Sequence, residues 1–269
     1  MATIKAARAS YSPLSHFIQV LRSEFCKLRS VRSTYWALAA AVAFNIAAAA
    51  LLAIFLPGAL SASQKATIDS TRLSLGGLHL SQVAVGVLGV LVITSEYGTG
   101  MIRATLAAVP QRRPMLAAKT LVFAAAALLT GMAACFAAYF VFQALLPGGD
   151  SMRTSLSDPG VLRAVTGAGL YLTMLGLFGL GLGAVIRSSA GTIAVLFGVL
   201  FVPPLIMTLL PSSWQDTIGP YLPMHAGETI YTVQHEAATL APWTGFGVFC
   251  LYAAAALAAG VLLISHRDA

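Results

Sequence analysis

Residues 35–56 read YWALAAAVAFNIAAAALLAIFL, an apolar run interrupted only by the polar side chain of Asn45. At 1.5 Å per residue a helix of this length reaches roughly 30 Å, the thickness of a bilayer's hydrocarbon core. Further runs of this kind follow at 78–95, 117–146, 165–186, 192–210 and 243–264. The whole chain agrees, being 58% hydrophobic and only 9% charged with a mean hydropathy of +0.83. Too few polar residues remain for a water-facing shell. In lipid every backbone N–H and C=O must be paired internally, which leaves helices or closed barrels. Continuous Ala, Leu, Val and Gly runs, rather than alternating strands of roughly ten residues, predict helices.

Six spans consume most of the 269 residues. The chain divides into a cytoplasmic N-terminal segment (1–34), a six-helix transmembrane domain (35–264) and a short cytoplasmic tail (265–269). With the N-terminus inside, twelve of the 16 Lys and Arg fall on inner segments and four on outer ones. That split follows the positive-inside rule and predicts a multi-pass protein of the cell membrane with both termini cytoplasmic. A net charge of +7 would suggest nucleic acid in a soluble chain. Here topology accounts for it, and no nucleic-acid partner is expected. Thirty-four mostly polar residues precede the first run, which is longer than the apolar stretch of a secretory signal, so span one is expected to be retained.

Before span one, Leu14, Phe17, Ile18, Leu21, Phe25 and Leu28 recur at helical spacing, with Arg22, Lys27, Arg29 and Arg32 mostly off that stripe. Ser12 and Pro13 suit a helix start. Two readings stand: an amphipathic helix on the inner leaflet, or a positive flank that merely orients span one. The sixfold stripe favours the helix. Between spans two and three, Thr99 and Gly100 can open a short helix in which Ile102, Leu106 and Val109 share a face, with Arg103 on another. Pro110 would stop it. Arg112 and Arg113 then form a turn, and Pro114 opens a third long helix of roughly 45 Å. Lys119 in its first turns is expected to snorkel to the headgroups.

Span four carries Gly179 and Gly183 in a GxxxG pair, a signal for close helix packing. Pro203 and Pro204 near the end of span five are expected to kink or end it. From Pro211 to Pro242 the aromatics Trp214, Tyr221, Tyr231 and Trp243 suit an outer headgroup belt. This segment reads either as short re-entrant helices or as a surface loop. Asn45 in mid-span can hydrogen-bond a neighbouring helix or line a substrate route.

The chemistry sought elsewhere is missing from the sequence. None of the four lysines follows a glycine, so there is no phosphate-binding Walker loop. His235-Glu236 lacks a second histidine at zinc-protease spacing, and no Gly-x-Ser-x-Gly elbow occurs. Cys26, Cys135 and Cys250 give no disulfide or zinc framework. The centres of the spans hold no carboxylate for a proton relay, so any transport work has to come from elsewhere.

Three places resemble the membrane subunit of the type-2 ABC exporter family. They are Ser23-Glu24 with Lys27-Leu28-Arg29-Ser30; then Glu96, Gly100, Leu106, Pro110, Arg112, Arg113 and Lys119; then Tyr221-Leu222-Pro223 with Ala226-Gly227. Their order and spacing across six spans carry the resemblance. It implies an all-α integral membrane fold with an N-terminal interfacial connecting helix and a cytoplasmic coupling helix between spans two and three. Short re-entrant or interfacial helices would lie between spans five and six. It further implies a separate cytoplasmic ATP-binding cassette subunit, a second permease chain and a pathway between the two permeases. The chain itself would hold no cofactor, ATP and magnesium belonging to the partner. Glu96, Gly100, Arg103, Leu106, Pro110, Arg112 and Arg113 would fall in or beside the coupling region, while Asn45, Gly179 and Gly183 are candidates for pathway or packing.

The function expected is therefore a non-enzymatic permease exporting a lipophilic or amphipathic cargo. A non-transporting scaffold or immunity subunit is the alternative. A membrane-embedded enzyme would need convergent nucleophile, acid or metal groups inside the spans, and the sequence offers none.

Overall fold

The computed structural model describes residues 13–102, 112–234 and 239–266, and no strand occurs among them. In chain order the helices are α1 (Pro13–Ser30), α2 (Arg32–Ala59), α3 (Ala62–Thr67), α4 (Ser70–Ser74), α5 (Leu78–Gly98) and α6 (Arg112–Leu145). They are followed by α7 (Val161–Ile186), α8 (Ser189–Met207), α9 (Ser212–Ile218), α10 (Pro223–Glu228) and α11 (Pro242–His266). Short 3₁₀ turns cover Gly219–Tyr221 and Thr229–Tyr231. Six of these helices, α2, α5, α6, α7, α8 and α11, are long and apolar enough to cross a membrane. The architecture is that of a multi-pass membrane protein.

α7 is the hub of the bundle. It packs along α5, α6 and α11, while α2 lies against α6 and α5. Of its most apolar stretch 72% is buried inside the chain, against 17% for α8, which leans mainly on α5, α7 and α10. Lipid tails are as apolar as leucine, so helices in a bilayer gain little from hiding leucine from lipid and depend on close van der Waals contact instead. Glycine permits that contact. A Cβ added to Gly89 of α5 would strike the carbonyl oxygen of Gly176 on α7, and one at Gly181 would sit 2.7 Å from the Leu257 amide nitrogen of α11.

Several helix ends differ from the sequence expectation. α6 begins no later than Arg112, which makes it 34 residues and roughly 51 Å long, and Pro114 sits within its first turn, where its missing N–H costs nothing. α8 continues through Pro203 and Pro204 to Met207 instead of stopping at them. The two prolines remove the N–H bonds that would reach the Val199 and Leu200 carbonyls, and the helix continues for three residues beyond them. The connection between α2 and α5 forms α3 and α4, which no apolar periodicity announces; they are set by capping. Ser61 and Gln64 make a capping box, and Asp69 accepts from the Arg72 amide.

The segment between α8 and α11 is helical and partly buried rather than a plain surface loop. Pro223, Ala226, Gly227 and the whole Thr229–Tyr231 turn are buried. Trp214, Tyr221 and Trp243 are exposed. Tyr231, expected in the same aromatic belt, is 3% exposed and stacks edge-on against Tyr171 of α7 at 5.5 Å.

At the end of the bundle opposite α1, Lys65 of α3 donates to Asp150 Oδ2 at 2.8 Å, and the Met152 amide donates to Oδ1 at 3.0 Å. The Lys65 hydrogen bond, aided by the Met152 amide, holds the Asp150 carboxyl below its ordinary value. A depressed carboxylate stabilises the fold above the unfolded titration and loses that contribution as pH falls through the folded one.

Two predictions follow from this packing. Gly89→Ala should lower stability in detergent by ~1–3 kcal/mol, because the methyl must displace backbone. Gly198→Ala, with nothing within 4 Å of the new methyl, should be neutral or stabilising by up to about 1 kcal/mol. Equal thermal unfolding of the two variants would refute the packing argument. Wild type should also unfold at higher temperature than Asp150→Asn at about pH 6 and lose that advantage progressively as pH falls below the ordinary aspartate value of about 3.9; a pH-independent gap would show that the carboxylate's charge is not involved.

Candidate functional site

The α1 end of the bundle contains four charges in one cluster. Glu24 comes from α1, Glu96 from the last turns of α5, and Lys119 from α6, and these are 4%, 2% and 3% exposed. Lys27, one turn after Glu24, completes it. Lys119 Nζ donates to Glu24 Oε2 at 2.6 Å and to Glu96 Oε1 at 2.8 Å. Lys27 Nζ donates to Glu24 Oε1 at 2.7 Å and to Glu96 Oε1 at 3.1 Å. Each ammonium thus bridges both carboxylates, and the cluster is neutral as a whole.

Its position follows from local rules. Glu24 and Val20 are four residues apart on one face of α1, and both are buried against the bundle. The opposite face keeps Ile18 and Phe25 exposed. Glu96 precedes the end of α5, where Thr99 caps the helix and Gly100, at φ +70°, turns the chain away. Lys119 sits two turns into α6, deep enough that its ammonium cannot stay ionised cheaply without counter-charges.

Burial opposes the Lys27 ammonium, yet the carboxylates of Glu24 and Glu96 outweigh it and raise its pKa above the ordinary lysine value. A raised lysine contributes its full stabilisation below the ordinary lysine range and loses it only as pH climbs through the raised value. Glu96 Oε2 is buried with no hydrogen-bond partner among the described residues. Beside the cluster lies a small cavity of about 150 Å³, walled by Leu88, Val92, Met101 and Phe123 among others.

This geometry revises the sequence reading of several residues. Lys119 does not snorkel; it points into the bundle and holds α1, α5 and α6 together. Glu96, expected beside the coupling region, pairs with Lys27 and Lys119. Arg112 Nη1 instead donates to the Ile264 carbonyl at 2.9 Å, satisfying a backbone acceptor at the end of α11. Arg113 is exposed one residue further on. Thr99 and Gly100 close α5 and lead directly into helical residues 101–102, in keeping with the expected start of a short helix there. Arg103, Leu106 and Pro110 lie outside the described residues, as does most of the expected coupling helix. Near the same end, Arg187 ends α7 in the left-handed region at φ 62° and lies over the Tyr97 ring, 5.2 Å from its centroid.

The remaining candidates are in the interior. Asn45 is fully buried, its Nδ2 3.8 Å from Cys135 Sγ of α6 and its Oδ1 without a hydrogen-bond partner among the described residues. A Cβ at Gly179 would lie 2.9 Å from the Gly86 carbonyl oxygen, and one at Gly183 2.7 Å from Ile93 Cγ2, so both glycines face α5.

The pairing of Glu24 and Lys27 with Lys119 has no local sequence pattern behind it. A signal was present: Glu24 is the only acidic residue before Asp69, and Glu96 the only one from Ser70 to Gly149. Lone carboxylates beside a lone lysine in apolar helices call for one another. Lys119→Met should destabilise the chain by ~3–5 kcal/mol, since it strands a buried negative charge. The double variant Glu96→Gln/Lys119→Met restores neutrality and should recover part of the loss in thermal unfolding. A double variant no better than the single one would mean that the charges act independently.

No family model matches the chain, and no curated protein matches it either.

Proposed function

We propose that the chain is the permease subunit of a type-2 ABC exporter, driven by a separate cytoplasmic ATP-binding cassette subunit. The observation that carries this reading is the buried charge cluster. It joins α1 to the end of α5 and the start of α6, the two helices that flank the connection at residues 99–111. A force applied to that connection would move three helices as one body, because separating them exposes unpaired charges to a low-dielectric interior. The sequence features agree: a chain with no nucleotide loop and no carboxylate in its span centres has to receive work from a partner.

On this reading α1 is the interfacial connecting helix, with Ile18 and Phe25 toward lipid, and the coupling helix lies between α5 and α6. The helices α9 and α10 take the place of the re-entrant pair. Both termini are cytoplasmic, and a second permease chain completes the pathway. The cargo is lipophilic or amphipathic, in keeping with spans that carry no charge at their centres.

The test is a mild-detergent pull-down of the tagged chain from its native membranes. A stoichiometric ATP-binding subunit should co-purify, and Arg113→Glu should reduce its recovery at least several-fold. Arg113 is the better probe because Arg112 also holds the end of α11. Recovery of the chain alone, under conditions that preserve other membrane complexes, would favour a scaffold instead.

A further inference from the structure

At the end opposite α1 a cavity of about 740 Å³ opens between α8, α9 and α10. Phe201 and Leu205 of α8 and Met224 of α10 form part of its apolar wall, and its ionisable lining among the described residues consists of Arg72, Asp216, His225 and Glu228. The volume is that of a site for a drug-sized molecule.

Charge decides which molecule fits. Glu228 is 9% exposed, and its Oε2 lies 3.5 Å from Arg72 Nη2, so the one guanidinium is committed to one carboxylate. The second oxygen, Oε1, is buried without a hydrogen-bond partner among the described residues, and the Nδ1 ring nitrogen of His79 is 4.0 Å away. Asp216 is exposed on α9 and forms no ion pair with a described residue. Among the described residues two carboxylates and one guanidinium thus line the cavity beside an apolar wall. An anion there would meet an excess of like charge, whereas a cation would meet counter-charge.

Building on the export reading, we infer that this cavity binds an amphipathic organic cation. Its apolar body would lie against Phe201, Leu205 and Met224, with the positive head between Asp216 and Glu228. Burial of the body supplies affinity by removing apolar surface from water, and the two carboxylates set the sign of the charge. A lipid with an amine headgroup and a free lipophilic cation share this chemistry.

The experiment uses the full chain purified in detergent. Tetraphenylphosphonium is the probe, tetraphenylborate the anion of matching shape, and binding is read by equilibrium dialysis. Saturable tetraphenylphosphonium binding is expected, weakened several-fold in Asp216→Asn and roughly tenfold in Glu228→Gln. Tetraphenylborate should not saturate. Asp216→Asn is decisive because its side chain is exposed and its neutralisation leaves the helix packing alone. Equal binding of the two ions, or undiminished cation binding in Asp216→Asn, overturns the inference. Displacement of the probe by phosphatidylethanolamine but not by phosphatidylglycerol would assign the site to a lipid amine; lack of displacement would assign it to a free cation. The assay needs no ATPase. Cation binding by a chain that captures no ATPase keeps the site and removes the export reading, and ATPase capture without cation binding does the reverse.

Discussion

A lysine buried in an apolar bundle has to bring its counter-charges with it, and that constraint organises the α1 end of this protein. Lys119 cannot be neutralised by one carboxylate without leaving the other exposed to a low dielectric, so Glu24, Glu96 and Lys27 gather into a neutral four-membered cluster. The cost of opening the cluster is what fixes the N-terminal helix to the bundle. Among the described side chains of α1, Val20 is the buried apolar one, and the others besides Glu24 are half-buried or exposed. A hydrophobic attachment would be weak there, since lipid competes for the same apolar face.

The interior is held differently. α7 brings its glycines against α5, α6 and α11, and the contacts are so close that no side chain fits at several crossings. Such packing makes the central helices a rigid unit and leaves α8 comparatively free of partners. Tyr171 links the two regimes. Its hydroxyl donates to Gln82 Oε1 of α5 at 2.7 Å, while its ring packs with Tyr231 and Phe249, so the helical segment before α11 is anchored to the hub.

The sequence makes six helices legible because twenty-residue apolar runs have one outcome in lipid, and the starts and ends fall within a few residues of the hydropathy edges. The packing role of small residues in span four is also visible in its spacing. The charge cluster is less so. Glu24 and Lys119 are 95 residues apart, and no local pattern states that α1 turns its carboxylate inward rather than along a membrane surface. Tyr231 shows the same limit, because an aromatic at an interface and an aromatic folded under a helix have identical sequence neighbourhoods. Pro203 and Pro204 do not end α8, which runs three residues past them.

The two ends of the bundle are electrostatic opposites. At the α1 end every charge of the cluster is compensated, and the helices it joins flank the connection where a partner ATPase is proposed to act. At the other end, among the described residues, Asp216 and Glu228 leave negative charge in excess over Arg72, in a cavity whose apolar wall belongs largely to α8. α8 is also the least buried span, joined to the hub through the tight Arg187 turn and a Ser189 hydroxyl that donates to Thr94 of α5 at 2.8 Å. Glu96 lies two residues beyond Thr94 on α5. A displacement of the rigid α1, α5 and α6 unit would therefore reach the start of α8 directly, and α8 has few other contacts to resist it. Work delivered at the compensated end would alter the wall of the uncompensated cavity, which is the coupling an exporter requires.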